Sequence, residues 1–358
     1  MLHPQMERRL THLYALLACF SGLGLDLYSQ APASSLIIQW DNDLLTGTDR
    51  DYTNGARIAY ISELSRESAA HNFLQNPLAR ISEIGPQTLF ASEPEPTQSD
   101  YQFYWGTGLT QLIFTPENTT ATTAPPGERP YAGWLGLEFT LQSNRGSSMN
   151  SVTLSIGTTG PYSFAEETQE WVHENISDSP IFQGWDSQVP AEATLNLHFD
   201  RKQSIRILER LPKGDFGFDG HYEWGGSLGN FRTDAYLGTL LRWGYNVSST
   251  YSMPRVQVGS SSQAFHKAPS EQTISISIFG GLRGYAVLHD ITLDGPIFRD
   301  FDTGVDSEPF VGEVIYGLNL SWKWIEVSFA QTLRSDEFTG QREHLEFGSI
   351  MARIGGRF

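Results

Sequence analysis

Cysteine is almost missing from this chain: Cys19 is the only one in 358 residues. One thiol closes no disulfide and builds no Cys-based metal site, so cystine frameworks and zinc ribbons are excluded. Positive charge is also scarce. Lys and Arg number 24 against 41 Asp and Glu, a formal net charge of −17. Nucleic-acid binding runs on cationic surface, so that partner class is disfavoured. A phosphorylated ligand would need a local arginine or a bridging divalent cation. Long apolar runs are missing too. Beyond residue 33 no stretch is continuous and apolar enough for a membrane helix, although barrel strands alternate and escape that criterion.

What is present begins with an export signal. His3, Arg8 and Arg9 form a positive start, Leu10 to Leu25 an apolar stretch, and Ala31-Pro32-Ala33 a small-residue cleavage site. Residues 1–33 are therefore expected to be removed, leaving 34–358 as the mature chain. Cys19 lies in the removed part. Leu16-Leu17-Ala18-Cys19 faintly resembles a lipoprotein box, but the apolar run continues past it.

After Ser34 the dominant period is two. Leu154 and Ile156 alternate with Thr153 and Ser155, Leu195 and Leu197 with Asn196 and His198, and Leu318 and Leu320 with Asn319 and Ser321. One apolar face with Trp or Tyr near its ends, against one polar or glycine face, is the pattern of lipid-outside strands. A soluble sandwich alternates as well, but these runs are long and carry the aromatic girdle. Strands are expected near 35–43, 53–62, 101–115, 130–144, 150–160, 191–209, 216–229, 234–247, 271–287, 310–322, 324–335 and 346–358. The fold class is thus all-β, a transmembrane antiparallel barrel of about twelve strands with a short helix in an outward loop. The terminal Phe358 resembles the signature read by the outer-membrane barrel assembly machinery, an expected partner.

Both termini of such a barrel face the periplasm, so strand parity sorts the connections. The outward rim collects 41–53, 116–130, 161–190, 230–234, 288–309 and 336–345. The periplasmic side collects 63–100, 145–149, 210–215 and 248–270. Within 63–100, Phe73, Leu74, Leu78 and Ile81 are compatible with a short helix.

Three constellations on the rim can carry chemistry. Asp41-Asn42-Asp43 is followed by Asp51-Tyr52-Thr53-Asn54-Gly55. Carboxylate, amide and hydroxyl oxygens are what a hard cation takes as ligands, and they are also turn formers. The EF-hand pattern fails, because Leu45 and Tyr52 stand where ligands belong. Next, Ser163-Phe164-Ala165-Glu166 reads as a capping box opening a helix to about His173 or Asn175. Gln169 and His173 share a face of that helix, and histidine is the usual general base near neutrality. An exposed loop histidine is the plain alternative. Last come the arginine- and glycine-rich runs. Arg129 offers a cation for a phosphate, and Gly225-Gly226-Ser227-Leu228-Gly229 formally matches a nucleophile elbow. With no helix after Ser227, glycines easing strand curvature explain that run better. His198 is expected on the luminal side of its strand.

In this order these segments resemble the outer-membrane lipid A 3′-O-deacylase family. The likeness rests on Asp41-Asn42-Asp43, Asp51-Tyr52-Thr53-Asn54-Gly55, Arg129-Pro130-Tyr131-Ala132-Gly133-Trp134, the Gly160-Pro161 helix ending at His173, and Gly184-Trp185-Asp186-x-Gln188. The resemblance implies a twelve-stranded outer-membrane barrel, expected to be monomeric, with its site between wall and loop helix. It implies calcium-dependent removal of the 3′-linked acyloxyacyl chain from lipid A of the outer leaflet. Carried over, His173 is the general base, and Asn42, Asp43 and Thr53 organise the metal and the oxyanion. Arg129, Gln169 and Gln188 are assigned to substrate contact. The family's site includes a glutamate shortly after the histidine; here Glu174, Asp178 and Glu192 all stay open for that place. Two other readings compete: an outer-membrane phospholipase A using Ser227, and a non-enzymatic barrel that binds small molecules or lipids.

Overall fold

The computed structural model describes residues 34–42, 51–65, 101–118, 120–145, 148–177, 181–205, 216–247, 253–259 and 274–356. Twelve strands form: β1 Ser34–Asn42, β2 Asp51–Glu63, β3 Gln102–Thr115, β4 Ala132–Arg145, β5 Ser148–Thr159, β6 Ala193–Ser204, β7 Phe216–Gly229, β8 Arg232–Tyr245, β9 Ile274–Asp290, β10 Phe310–Trp322, β11 Ile325–Arg334 and β12 Leu345–Gly356. Each pairs antiparallel with its sequence neighbour, and β1 closes on β12. Closure removes every sheet edge, so all strand N–H and C=O groups are paired inside the wall. Among the described residues the short α-helices are α1 (Ala165–Val172) and α2 (Ile291–Asp294). No described helix is long and apolar enough to cross a membrane.

Burial is inverted relative to a soluble domain. Leu195, Leu197, Leu318 and Leu320 are more than half or about half exposed, while Asn196, His198, Asn319 and Ser321 are buried. Alternation along each strand therefore sends aliphatic side chains outward and polar ones into the lumen. The luminal charges are paired across strands. Arg57 bonds Glu138 at 3.0 Å, Arg353 meets Glu326 at 3.2 Å, and Arg283 is bridged to Glu223. A buried charge without such a partner is costly, which explains why the acids and arginines interleave.

The lumen also holds part of the connection between β8 and β9. Residues 253–259 follow a periplasmic strand end, as parity requires, yet they lie inside the barrel rather than below it. Gln39 Nε2 donates to the backbone oxygens of Met253, Pro254 and Arg255 at 3.1, 3.2 and 2.9 Å. Gly259 N–H donates to Glu138 at 2.8 Å. Val256 and Val258 join an apolar cluster with Tyr52, Phe114, Trp134, Phe231 and Phe347. A segment expected to be a periplasmic turn is thus a luminal strap, its backbone satisfied by inward-facing side chains of β1 and β4.

The proposed signal segment, Asp43 and residues 66–100 with their expected helix lie outside the described residues.

Candidate active site

The outward ends of β1 to β4 carry the sequence-derived candidates. Gln39 and Asp41 bond to the luminal strap, so alternation turns Trp40 and Asn42 to the outer face. Asn42 pairs with Asn54 in the ladder, and Asn54 with Ile113. Trp40 Nε1 donates to Asn54 Oδ1 at 3.1 Å, which confirms the shared face. Thr53 occupies a β-bulge, since the register of β2 on β3 shifts between Tyr52 and Asn54. Bulges re-aim side chains near functional sites. The Thr53 and Thr115 hydroxyls lie 2.6 Å apart, and Asn42 Nδ2 donates to the Thr53 carbonyl at 3.1 Å. Both Asn42 and Thr53 are buried.

Helix α1 lies on this outer wall. A 3₁₀ turn, Gly160–Ser163, precedes it, and its N-cap is Phe164 in the left-handed region at φ 55°. The expected capping box does not form. Ser163 spends its hydroxyl on Gly160 O at 2.6 Å and seats the turn against the wall instead. Ala165 packs in one cluster with Ile113, Tyr131, Phe182 and Trp185. Tyr131 meets Trp185 at 5.3 Å and Phe182 at 6.0 Å between ring centroids. Such aromatic pairs contribute about 1 kcal/mol each beyond area burial.

His173 ends α1 and opens a π-helical turn, His173–Ser177. Its N–H reaches the carbonyls of both Gln169 and Glu170. Single π turns concentrate at functional sites. The side chain is 3% exposed, and its ring lies 5.7 Å from that of Phe182, so it is not the exposed loop histidine of the plain alternative. A run of neighbours now connects the candidates: Asn42 to Asn54, Asn54 to Ile113, and the Ile113 cluster through Phe182 to His173. Asn42, Asn54 and Ile113 share the outer face of the wall, and Phe182 links the Ile113 cluster to the His173 ring.

Gln169 is buried beside His173, with Oε1 accepting from Trp185 Nε1 at 3.0 Å. Gln188 is buried at the end of the same loop. Arg129 sits elsewhere. It points to the luminal mouth, bonds Glu337 at 2.6 Å and Thr292 at 2.9 Å, and stacks over Phe114. Its charge is already matched there, a role invisible without the fold. Of the acidic candidates, Glu174 is exposed next to His173 and Asp178 lies outside the described residues. Glu192 accepts from Asn230 Nδ2 at 2.8 Å and Phe298 N–H at 3.0 Å, which commits it to the rim.

Electrostatics set the character of the helix. Burial raises Glu166 above the ordinary carboxylate range, and Glu170, Glu167 and Asp186 add to it. Burial also pushes the Tyr131 phenol up to about 12, against a backbone contact from Gly184 and with help from Glu128. Tyr131 therefore stays a neutral donor, to Ala121 O at 3.3 Å.

Among the described residues no three or more His, Cys, Asp or Glu side chains gather as a metal cluster. Asn42, Thr53 and Thr115 nevertheless form a group of oxygen-bearing side chains, the donor class that suits a hard cation such as calcium. Ser227 belongs to a different place. It faces the lumen with its hydroxyl 2.8 Å from His198 Nδ1, while His198 Nε2 lies 2.9 Å from Ser155. The luminal position expected of His198 is what the structure has; its serine partners became visible only through the register of β5, β6 and β7.

Comparison with known proteins adds independent findings. The family model described as "Outer membrane protein LpxR" matches residues 13–355. Among solved structures, LpxR from Salmonella typhimurium superposes with a TM-score of 0.66 at 17% identity, covering 90% of this chain and 99% of that one. The β domain of the Bordetella autotransporter BrkA matches with a TM-score of 0.42 at 9% identity, covering 91% of this chain and 99% of that one. No curated protein matches.

Proposed function

The chain belongs to the LpxR family of outer membrane proteins, and from that premise we propose that it is a lipid A 3′-O-deacylase. The observation that carries this reading is the buried His173 at the end of α1, beside Phe182 of the cluster that seats α1 on the outer face, the face that also bears Asn42 and Thr53. On this reading a lipid in the outer leaflet approaches that outer face from the side. It does not reach Ser227, whose hydroxyl faces the lumen, so nothing in the geometry favours the phospholipase reading.

In the proposed reaction a His173 ring nitrogen takes a proton from water. The water oxygen attacks the ester carbonyl carbon, and the bond to the 3′ oxygen of the sugar breaks. The proton then passes from His173 to that leaving oxygen, releasing the acyloxyacyl chain as one acid and leaving a 3′ hydroxyl. Calcium held by Asn42, Asp43 and Thr53 would supply positive charge toward the carbonyl oxygen. Gln169, fixed by Trp185, orients the helix face that holds the base. The packed rings of Tyr131, Phe182 and Trp185 keep bulk water from one side of the crevice. A hydrogen-bonded water and a charged oxyanion both gain strength in such a dry setting.

Mass spectrometry of lipid A from cells expressing the chain tests this directly. Loss of two acyl chains as one unit is expected with the natural protein and not with His173→Ala. An unchanged acyl pattern with the natural protein rejects the reading. Chelation of calcium should stop the reaction in membranes; activity that survives complete chelation removes the metal from the scheme.

A further inference from the structure

We infer that the luminal strap 253–259 braces the outward-facing site from inside the barrel, with Asp41 as the positioning residue. The inference rests on the metal-assisted reading above and assigns it a support that lies on the opposite face of the wall.

The ladder pairs Asn42 with Gly348 and Asn54 but leaves the Thr53 bulge out of its register. β1 stops at Asn42, and β2 carries its bulge at Thr53. On the inner face, however, the same two ends are tied together. Val256 N–H donates to both oxygens of Asp41, at 3.0 and 2.9 Å. Tyr52 OH donates to the same carboxylate at 3.1 Å. Asp41 is thus a three-way junction between β1, β2 and the strap, with no exposure to solvent. Tyr52 reaches it by folding across Gly55, where a Cβ would lie 1.8 Å from the tyrosine oxygen and 3.3 Å from Val256. The ring is clamped by Phe114 at 5.4 Å and Phe347 at 4.9 Å. Gln39 fixes the strap's other end through three of its carbonyls.

Along β1 side chains alternate, and at the β2 bulge Thr53 turns its hydroxyl to Thr115, so each residue bonded inside is next to one presented outside. Asp41 neighbours Asn42, and Tyr52 neighbours Thr53. Holding the inner pair at hydrogen-bond distance therefore sets the spacing and direction of the outer pair. A bulge left unsupported would let Thr53 move relative to Asn42, and a cation site that draws oxygens from both strands tolerates little such drift. This is the part that outer-shell hydrogen bonds play for metal ligands generally.

The test uses the full chain refolded in detergent, with terbium as a calcium surrogate sensitised by Trp40 on the same outer face. Asp41→Asn should weaken terbium binding by about tenfold, the usual cost of losing an outer-shell partner. Tyr52→Phe and Gln39→Met should shift it in the same direction by less. Lipid A deacylation by these variants should need more calcium for half-saturation and recover near the natural kcat at high calcium. Arg242→Gln, which breaks a luminal ion pair with Asp219 at the periplasmic end, should leave terbium affinity unchanged. Heat-modifiable migration on gels checks that each variant is folded; Tyr52→Phe loses a single hydroxyl and keeps the readout available. Folded Asp41→Asn and Tyr52→Phe proteins that bind terbium as tightly as the natural chain overturn the brace alone. A natural chain that neither binds terbium nor alters lipid A rejects the metal reading itself, and the brace with it.

Discussion

At the scale of single residues, the candidate base owes its position to partners that are not themselves chemical. His173 is placed by the backbone of its π turn and by the ring of Phe182, and the helix face beside it is fixed by Trp185. Trp185→Phe keeps an aromatic ring edge-on to Tyr131 but removes the indole donor to Gln169. We expect kcat/KM on lipid A to fall by about tenfold, the kinetic equivalent of about 1.4 kcal/mol and within the worth of one buried hydrogen bond. The folded barrel should be unaffected, because the pair lies outside the wall. Steady-state kinetics on purified lipid A decide the matter, and a variant as fast as the natural chain would assign Gln169 no part in holding the helix.

At the scale of elements, the close seat of α1 on the wall is set by Gly133. A Cβ there would lie 2.1 Å from Ser163 Oγ and 2.4 Å from Ala165 Cβ. Gly133→Ala must therefore lift the helix and His173 with it. Displacements near 1 Å cost about a hundredfold in rate, so deacylation should fall at least that far while the barrel stays heat-modifiable. Wild-type activity in this variant would show that the helix does not need its close contact. Strands and their faces were the legible part of the sequence, because lipid outside and charge inside enforce a period of two over ten or more residues. The helix start was misread by one residue: Ser163-x-x-Glu166 satisfies the capping pattern, yet a 3₁₀ turn anchored by Gly160 claims the serine first. The strap was not legible at all. Met253 to Gly259 is too short to show a period, and its partners Gln39, Asp41 and Glu138 lie more than a hundred residues away in the chain. The candidate site was legible in the residues it proposes but not in its junctions. Asn42 and Thr53 came from resemblance, whereas Asp41 and Tyr52, each one residue earlier, show their importance only once the inner face is seen.

At the scale of the whole molecule, the outward mouth is closed by charge rather than by the ladder. Arg129 precedes β4 and Arg334 ends β11, and both bond Glu337, at 2.6 and 2.8 Å. Arg334 also bonds Glu313 at 2.8 Å, and Glu313 in turn meets Arg255 of the luminal strap at 3.1 Å. One network thus joins rim, wall and strap across the barrel. Burial works against the charge of Glu337, but Arg129, then Arg334 and Arg232, outweigh it and hold the carboxyl at about 2 instead of 4.5. A depressed carboxylate stabilises the fold above its unfolded value and loses that contribution as pH falls through its folded value. The mouth should therefore hold at pH 5 to 8 and loosen progressively between about 4.5 and about 2. Glu337→Gln leaves Arg129 and part of Arg334 without their partner, so it should cost about 3 kcal/mol at neutral pH and flatten the acid limb. Urea unfolding in lipid vesicles, followed by tryptophan fluorescence across that range, measures both effects. If the natural chain and Glu337→Gln lose stability in parallel on acidification, the acid sensitivity belongs to other luminal carboxylates and the mouth is held by packing alone.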